Sequence, residues 1–237
     1  MEQASELIPL VAFQALPAGT TRGIGVRTTL NLPKAILGIR HHIGTQAAMH
    51  GGIETFHMPE RGLYAPLAQL LVALLPRGAA VDHEAVLKKL SGRSALRTDL
   101  SIRRLECFPN ERLDAHDFAA VIEIKSVFYG ERLSESDLLD DLEKLLNCEA
   151  TYSSKCFFAL VGLKDDLTRV GAALSKFLLH NAVGPISISL PAGKTAWLHP
   201  SARFELESPY VYVWTVSSVN SFSANSSDYV YTVFEAI

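Results

Sequence analysis

Phe118-Ala119-Ala120-Val121-Ile122-Glu123-Ile124-Lys125 is the stretch whose reading decides the fold. It opens with an unbroken apolar run, the pattern of a strand buried on both faces rather than one with a wet side. The run then alternates, so Glu123 and Lys125, two residues apart, project from the same face of one strand. A carboxylate and an ammonium at the edge of a buried sheet cost free energy unless they are paired or bind something. A carboxylate there can hold a hard divalent cation such as Mg2+, which takes oxygen ligands. A neighbouring lysine can orient or deprotonate a cation-activated water. The plainer alternative puts both side chains in cross-strand ion pairs on a solvated face.

Working outward, the chemistry calls for a second carboxylate on an adjacent strand. Leu96–Leu105 is strand-like, and its Asp99 lies 24 residues before Glu123. That gap allows a hairpin with a long turn over Cys107–His116, which contains Pro109-Asn110. Asp114 and Asp117 are nearer in sequence and stay open as alternatives. Asp117, however, is on the same strand as Glu123, about 20 Å away at ~3.3 Å per residue, and Asp114 falls in the turn. Asp99 is the best placed. It is also the one acid among six basic residues from Lys88 to Arg104.

The remaining periodicities predict a mixed α/β chain. Leu63, Leu67, Leu70, Leu71 and Leu74 recur at helical spacing, with Pro66 in the first turn and Pro76 as the stop. Val81–Leu90 reads as a short helix capped by Asp82. After the central strand, Ser134 or Ser136 caps a helix running through Leu146. Lys155–Leu163 is another buried strand, and Asp165 or Asp166 caps a helix to about His180. Residues 186–237 are β-rich, punctuated by prolines. Residues 1–50 have no clear period and predict an irregular arm or short strands, with alternation over 24–30. The expected organisation is an arm (1–54), a core (55–183) and a β-rich C-terminal extension (184–237).

The segments RTDLSIRRL, DFAAVIEIKSV, DLLDDLEKLL and KCFFALVGL, in that order, resemble the PD-(D/E)XK nuclease superfamily: an Asp and a Glu-x-Lys across a hairpin, then a helix, a strand and a helix. The match covers roughly 55–165, and Thr98 stands where the motif's name has proline. The resemblance implies a restriction endonuclease-like core, a mixed central sheet flanked by helices. It implies an Mg2+- or Mn2+-dependent deoxyribonuclease. Asp99, Glu123 and the Ile124 carbonyl would ligate the metal, and Lys125 would position the attacking water. Pro59–Leu67 resembles the first core helix, where Glu60 would be an accessory acid. DNA phosphates would be met by Arg97, Arg103 and Arg104, with Lys88 and Lys89 nearby. The alternative is a nuclease-fold protein without cleavage, acting as a nucleic-acid- or protein-binding module. A two-strand cut calls for two sites, which a homodimer through the β-rich C-terminus would supply.

Composition narrows the classes further. The chain has 237 residues, 48% hydrophobic and 20% charged, with a net charge of −3. A globally basic nucleic-acid binder is excluded, though not a local basic face. The longest apolar candidate, Leu67–Leu75, falls far short of the ~20 residues of a membrane helix. Glu2 and Glu6 argue against a secretory leader. The three cysteines, Cys107, Cys148 and Cys156, are unsuited to a disulfide framework or zinc. A cytoplasmic setting follows as the expectation. Seven acids between Glu131 and Glu149, against Arg132 and Lys144, read as a solvated face. Gly193-Lys194-Thr195 lacks the upstream glycine of a phosphate loop. His41, His42 and His50 lack diagnostic metal spacing. Tyr210, Tyr212 and Trp214 alternate as core packing or a stacking face.

Overall fold

The structure is a computed structural model. It describes residues 29–52, 58–75, 79–86, 97–104, 118–128, 133–152, 154–169, 185–191, 193–205, 209–220 and 231–232. The sequence readings at 24–28, Pro76, Lys88, Lys89, Cys107–His116, Asp117 and the helix beyond Arg169 lie outside these residues.

Along the chain, β1 (Thr29–Leu30) leads into α1 (Leu32–Leu37), α2 (Ile39–Met49) and α3 (Arg61–Leu74). There follow β2 (Ala79–Val86), β3 (Arg97–Arg104), β4 (Phe118–Val127), α4 (Glu135–Tyr152), β5 (Lys155–Gly162) and α5 (Lys164–Arg169). The chain continues with β6 (Ile186–Ser189), β7 (Thr195–Phe204), β8 (Tyr210–Ser217) and β9 (Tyr231–Thr232). Seven strands form one mixed sheet in the order β2-β3-β4-β5-β8-β7-β6. Within it β2, β3 and β4 are successive antiparallel neighbours, and β5 runs parallel to β4. The β-rich 184–237 segment supplies β6, β7 and β8 to this same sheet, with β8 antiparallel to β5. A separate two-stranded ladder joins β1 to β9.

Two apolar cores lie on opposite faces. Alternate residues of β4 feed one or the other, as the period of a strand requires. Ala120, Ile122 and Ile124 pack with Ile36, Ile43, Leu63, Leu67 and Leu71 of α1–α3. Val121 and Val127 pack with Leu138, Leu142, Leu145 and Leu146 of α4. Gly162 closes β5 where space is tightest: an added Cβ would stand 2.3 Å from the Val127 carbonyl oxygen. No side chain larger than hydrogen fits there without shifting backbone.

Three local expectations are corrected. Residues 79–86 form strand β2, not a helix: Asp82 pairs across the ladder with Ser101 instead of capping, because β3 offers a hydrogen-bonding edge that propensity alone does not register. Residues 32–49 form two helices rather than an irregular arm. Asn31 caps the first, its Oδ1 accepting from the Lys34 N–H at 3.1 Å, with Pro33 beside the start. Helix α3 begins at Arg61, two residues before the first of its leucines, so Pro66 sits inside it rather than in its first turn. Downstream, Ser134 caps α4 by accepting from the Asp137 N–H. Asp165 and Asp166 lie in the first turn of α5, where negative charge meets the positive end of the helix dipole. Among the described residues no helix is long and apolar enough to cross a membrane.

Candidate active site

The β3–β4 ladder stops at Leu100↔Ile122, one step short of Asp99. Beyond that point the Asp99 side chain replaces the ladder, its Oδ2 accepting the Ile124 N–H at 2.7 Å. On the other side, the β2–β3 register passes from His83↔Leu100 to Ala85↔Thr98. Between them Glu84, opposite Asp99, turns to φ 50°, the left-handed region that a glutamate adopts at a cost. The sheet is thus parted around one aspartate.

Tyr64, on α3, ties this aspartate to Glu60, one helical turn earlier at the α3 N-terminus. Its hydroxyl lies 2.6 Å from Asp99 Oδ1 and 2.8 Å from Glu60 Oε1. A phenol carries one proton, so both contacts are satisfied together only when one acid brings a proton of its own. Glu60 suits that role: burial pushes its carboxyl up and Asp99 adds to the rise, against the pull of Lys125. Burial and the two acids likewise hold the Tyr64 phenol far above its ordinary range, so it stays a donor.

Lys125 links elements from both faces of the sheet. Its Nζ is 3.1 Å from Glu60 Oε2 and 2.9 Å from Asp141 Oδ2 on α4. Burial opposes its charge, but Asp141 and Glu60 outweigh burial and raise its pKa. It is therefore an ammonium at neutral pH, a donor and counter-charge rather than a base. Glu123 is fully buried, and its partner is no cross-strand residue: the Lys144 ammonium of α4 donates to Oε2 at 2.6 Å. Lys144 in turn lies 3.1 Å from Asp141 Oδ1. The other oxygen of Glu123, Oε1, is buried without a hydrogen-bond partner. Burial first, then Asp99, lift the Glu123 pKa well above the carboxylate range, with Lys144 pulling it down.

Glu60, Asp99, Glu123 and Lys125, all named by the sequence, belong to this one network, and the Ile124 backbone is part of it. The DNA-contact candidates behave differently. Arg103 grips Asp82 through Nε and Nη2, the latter donating to Oδ1 at 2.9 Å. Arg97 is exposed at the start of β3, and Arg104 pairs its backbone with Ala79. Tyr64, Asp141 and Lys144 were not legible as site residues. One sequence signal does mark Asp141: it falls three residues after Leu138 and next to Leu142, on the apolar stripe of α4, where an acid has no place unless paired. Reading 131–149 as a solvated face therefore fails at Asp141 and Lys144, both mostly buried.

The remaining candidates are structural. Gly193 occupies the β6–β7 turn at φ 72°, donating its N–H to the Leu190 carbonyl at 3.0 Å. Cys148 and Cys156 are buried free thiols, and burial pushes Cys148 up to about 12. A thiolate nucleophile is accordingly not available at either. Tyr212 stacks on Trp214 at 5.7 Å between ring centroids, and Trp214 is buried against the α4 core.

As donors to a metal, the network offers oxygen alone, which suits a hard cation. Four acids and two lysines meet here, and the proton that Glu60 brings to the Tyr64 contact leaves fewer than four of the acids ionised. Among the described residues no group of three or more His, Cys, Asp or Glu side chains is arranged to hold a metal ion. An ion here would rest on the Asp99–Glu123 pair, backbone and water, the sparse protein ligation typical of Mg2+. No family model matches the chain, and no curated protein or solved structure is significantly similar to it.

Proposed function

We propose that the protein is a metal-dependent nuclease of the PD-(D/E)XK type, with a restriction endonuclease-like core, hydrolysing phosphodiester bonds in DNA. The observation that carries this reading is the gathering of Asp99, Glu123, Lys125 and Glu60 into one network where the sheet parts. Its support in the fold is the order of elements. Helix α3, a β3–β4 hairpin bearing Asp and Glu-x-Lys, helix α4 and strand β5 follow as the resemblance implies. The buried, unpartnered Glu123 Oε1 beside Asp99 is an oxygen donor of the kind a hard divalent cation takes.

Asp99, Glu123 and the Ile124 carbonyl would hold Mg2+ or Mn2+. Bound there, the ion would polarise the scissile phosphate and lower the pKa of a water. Lys125 donates one N–H to Glu60 and lies as an ion pair against Asp141, and its remaining donor capacity can aim a water or steady the charge growing on a phosphate oxygen. Tyr64 keeps Asp99 turned to the site, and Glu60 fixes the Lys125 ammonium.

The test is nicking of supercoiled plasmid in Mg2+. Wild type should nick, and Lys125→Ala should lose on the order of 10²–10³-fold in rate, the usual cost of one such donor. Full activity in the variant would remove Lys125 from the reaction. The second reading, a nuclease-fold module that binds without cutting, draws on the engagement of both lysines by acids and of Arg103 by Asp82. Wild-type inactivity on duplex, branched and single-stranded DNA would favour it.

A further inference from the structure

Two α4 side chains, Asp141 and Lys144, are mostly buried in the site, and Lys144 has no part in the proposed hydrolysis. We infer that Lys144, held by Asp141, is a positioning residue that makes Glu123 a one-oxygen ligand and so selects a small divalent cation over Ca2+. The inference rests on the cation site of the proposed function.

The geometry is a chain of three groups. Lys144 donates to Glu123 Oε2 at 2.6 Å and reaches Asp141 Oδ1 at 3.1 Å, while Asp141 Oδ2 lies 2.9 Å from Lys125. Asp141 and Lys144 are three residues apart and share a helix face. An ammonium with one acidic partner can swing on its four-carbon stem; one with two acids at fixed positions is held. The Lys144 ammonium, unlike the neutral donors on Asp99, keeps a cation off Oε2 by its charge, and Glu123 has only Oε1 to offer, buried and unpartnered.

That division does not treat all cations alike. Ca2+ gathers about six to eight oxygens and readily takes both oxygens of one carboxylate; Mg2+ takes about six and keeps several waters. Losing an oxygen of Glu123 costs the large ion a ligand and costs the small one little. The positive charge of Lys144 acts on both ions, so the ratio of affinities, not either affinity, reports the oxygen count.

The experiment measures Mn2+ binding to the full chain by paramagnetic resonance, and Ca2+ binding by competition, without DNA. Wild type should favour Mn2+. Lys144→Met should shift the ratio toward Ca2+ by about tenfold, whichever way the individual affinities move. Asp141→Asn frees Lys144 from its second anchor without stripping Glu123 of its counter-charge. It should move the ratio the same way by a smaller factor, and it carries the test if Lys144→Met does not fold. An unchanged ratio in the folded variants overturns the inference and leaves the cation site standing. A wild-type chain that binds neither ion overturns the proposed function, and the inference with it.

Discussion

Around Glu123 the two faces of β4 are both buried and chemically opposite, although the second face is itself apolar at Val121 and Val127. Ile122 and Ile124 enter a core of leucines and isoleucines from α1–α3; Glu123, between them, is just as inaccessible and meets a lysine from α4. On the first face, position needs only shape and hydrophobicity, which many residues supply. On the second, each charge requires a partner from another element, so α3, β3, β4 and α4 must all arrive in register. Burial sets the cost of both faces, but only the second converts that cost into a defined arrangement of donors and acceptors.

The sharpest way to break this contrast is to truncate one side and neutralise the other. Ile122→Ala should cost about 2–5 kcal/mol in a urea titration, the usual loss for a buried aliphatic side chain. Glu123→Gln keeps the shape and leaves Asp141 to hold the Lys144 ammonium, so the remaining charge is not stranded, and it should cost the cation-free protein less than Ile122→Ala. A larger loss at Glu123 than at Ile122 would mean that the ionic face, not the apolar one, holds the sheet together.

A smaller effect lies in the pH dependence. The Glu123 carboxyl is raised in the folded state, chiefly by burial and then by Asp99. Such a group binds its proton more tightly when folded; it favours the fold below its unfolded pKa, and that contribution is lost as pH rises toward the folded value. Glu60 shifts in the same direction. Without divalent cations, wild type should therefore lose stability relative to Glu123→Gln as pH climbs from about 4.5, the unperturbed glutamate value, toward neutrality. Urea midpoints of both proteins in chelator across that range provide the check, and parallel curves would contradict the shift.

The smallest effect belongs to the β2–β3 margin. Asp82 and Arg103 form a two-point ion pair with side chains 31% and 21% exposed. Asp82→Ala should cost about 1 kcal/mol or less, as solvent screens the pair. A loss matching that of Ile122→Ala would show that the margin shares in the buried network.

Much of the framework was legible before folding because it rests on local period. The apolar run of β4, the leucines of α3 and α4, and the run of β5 each announce an element, and Asp99 could be preferred over Asp117 from strand length alone. Reading Val81–Leu90 as a helix failed over 81–86 because an Ala/Val/Asp/Glu segment takes the conformation its neighbour rewards. The helices at 32–49 were missed for the matching reason: their apolar faces make sense only beneath the sheet. Tyr64, Asp141 and Lys144 escaped because nothing within their own elements requires them to meet β4.

Sequence alone therefore determined a strand hidden on both sides that carries Glu123 and Lys125, since alternation and hydrophobicity act between near neighbours in the chain. Tertiary structure decided what those two charges do. Lys125 and Asp141 are 16 positions apart, and Glu60 is 65 from Lys125. Only packing α3 and α4 against the sheet brings such groups within hydrogen-bonding distance, where the cost of burying each charge is met by the next.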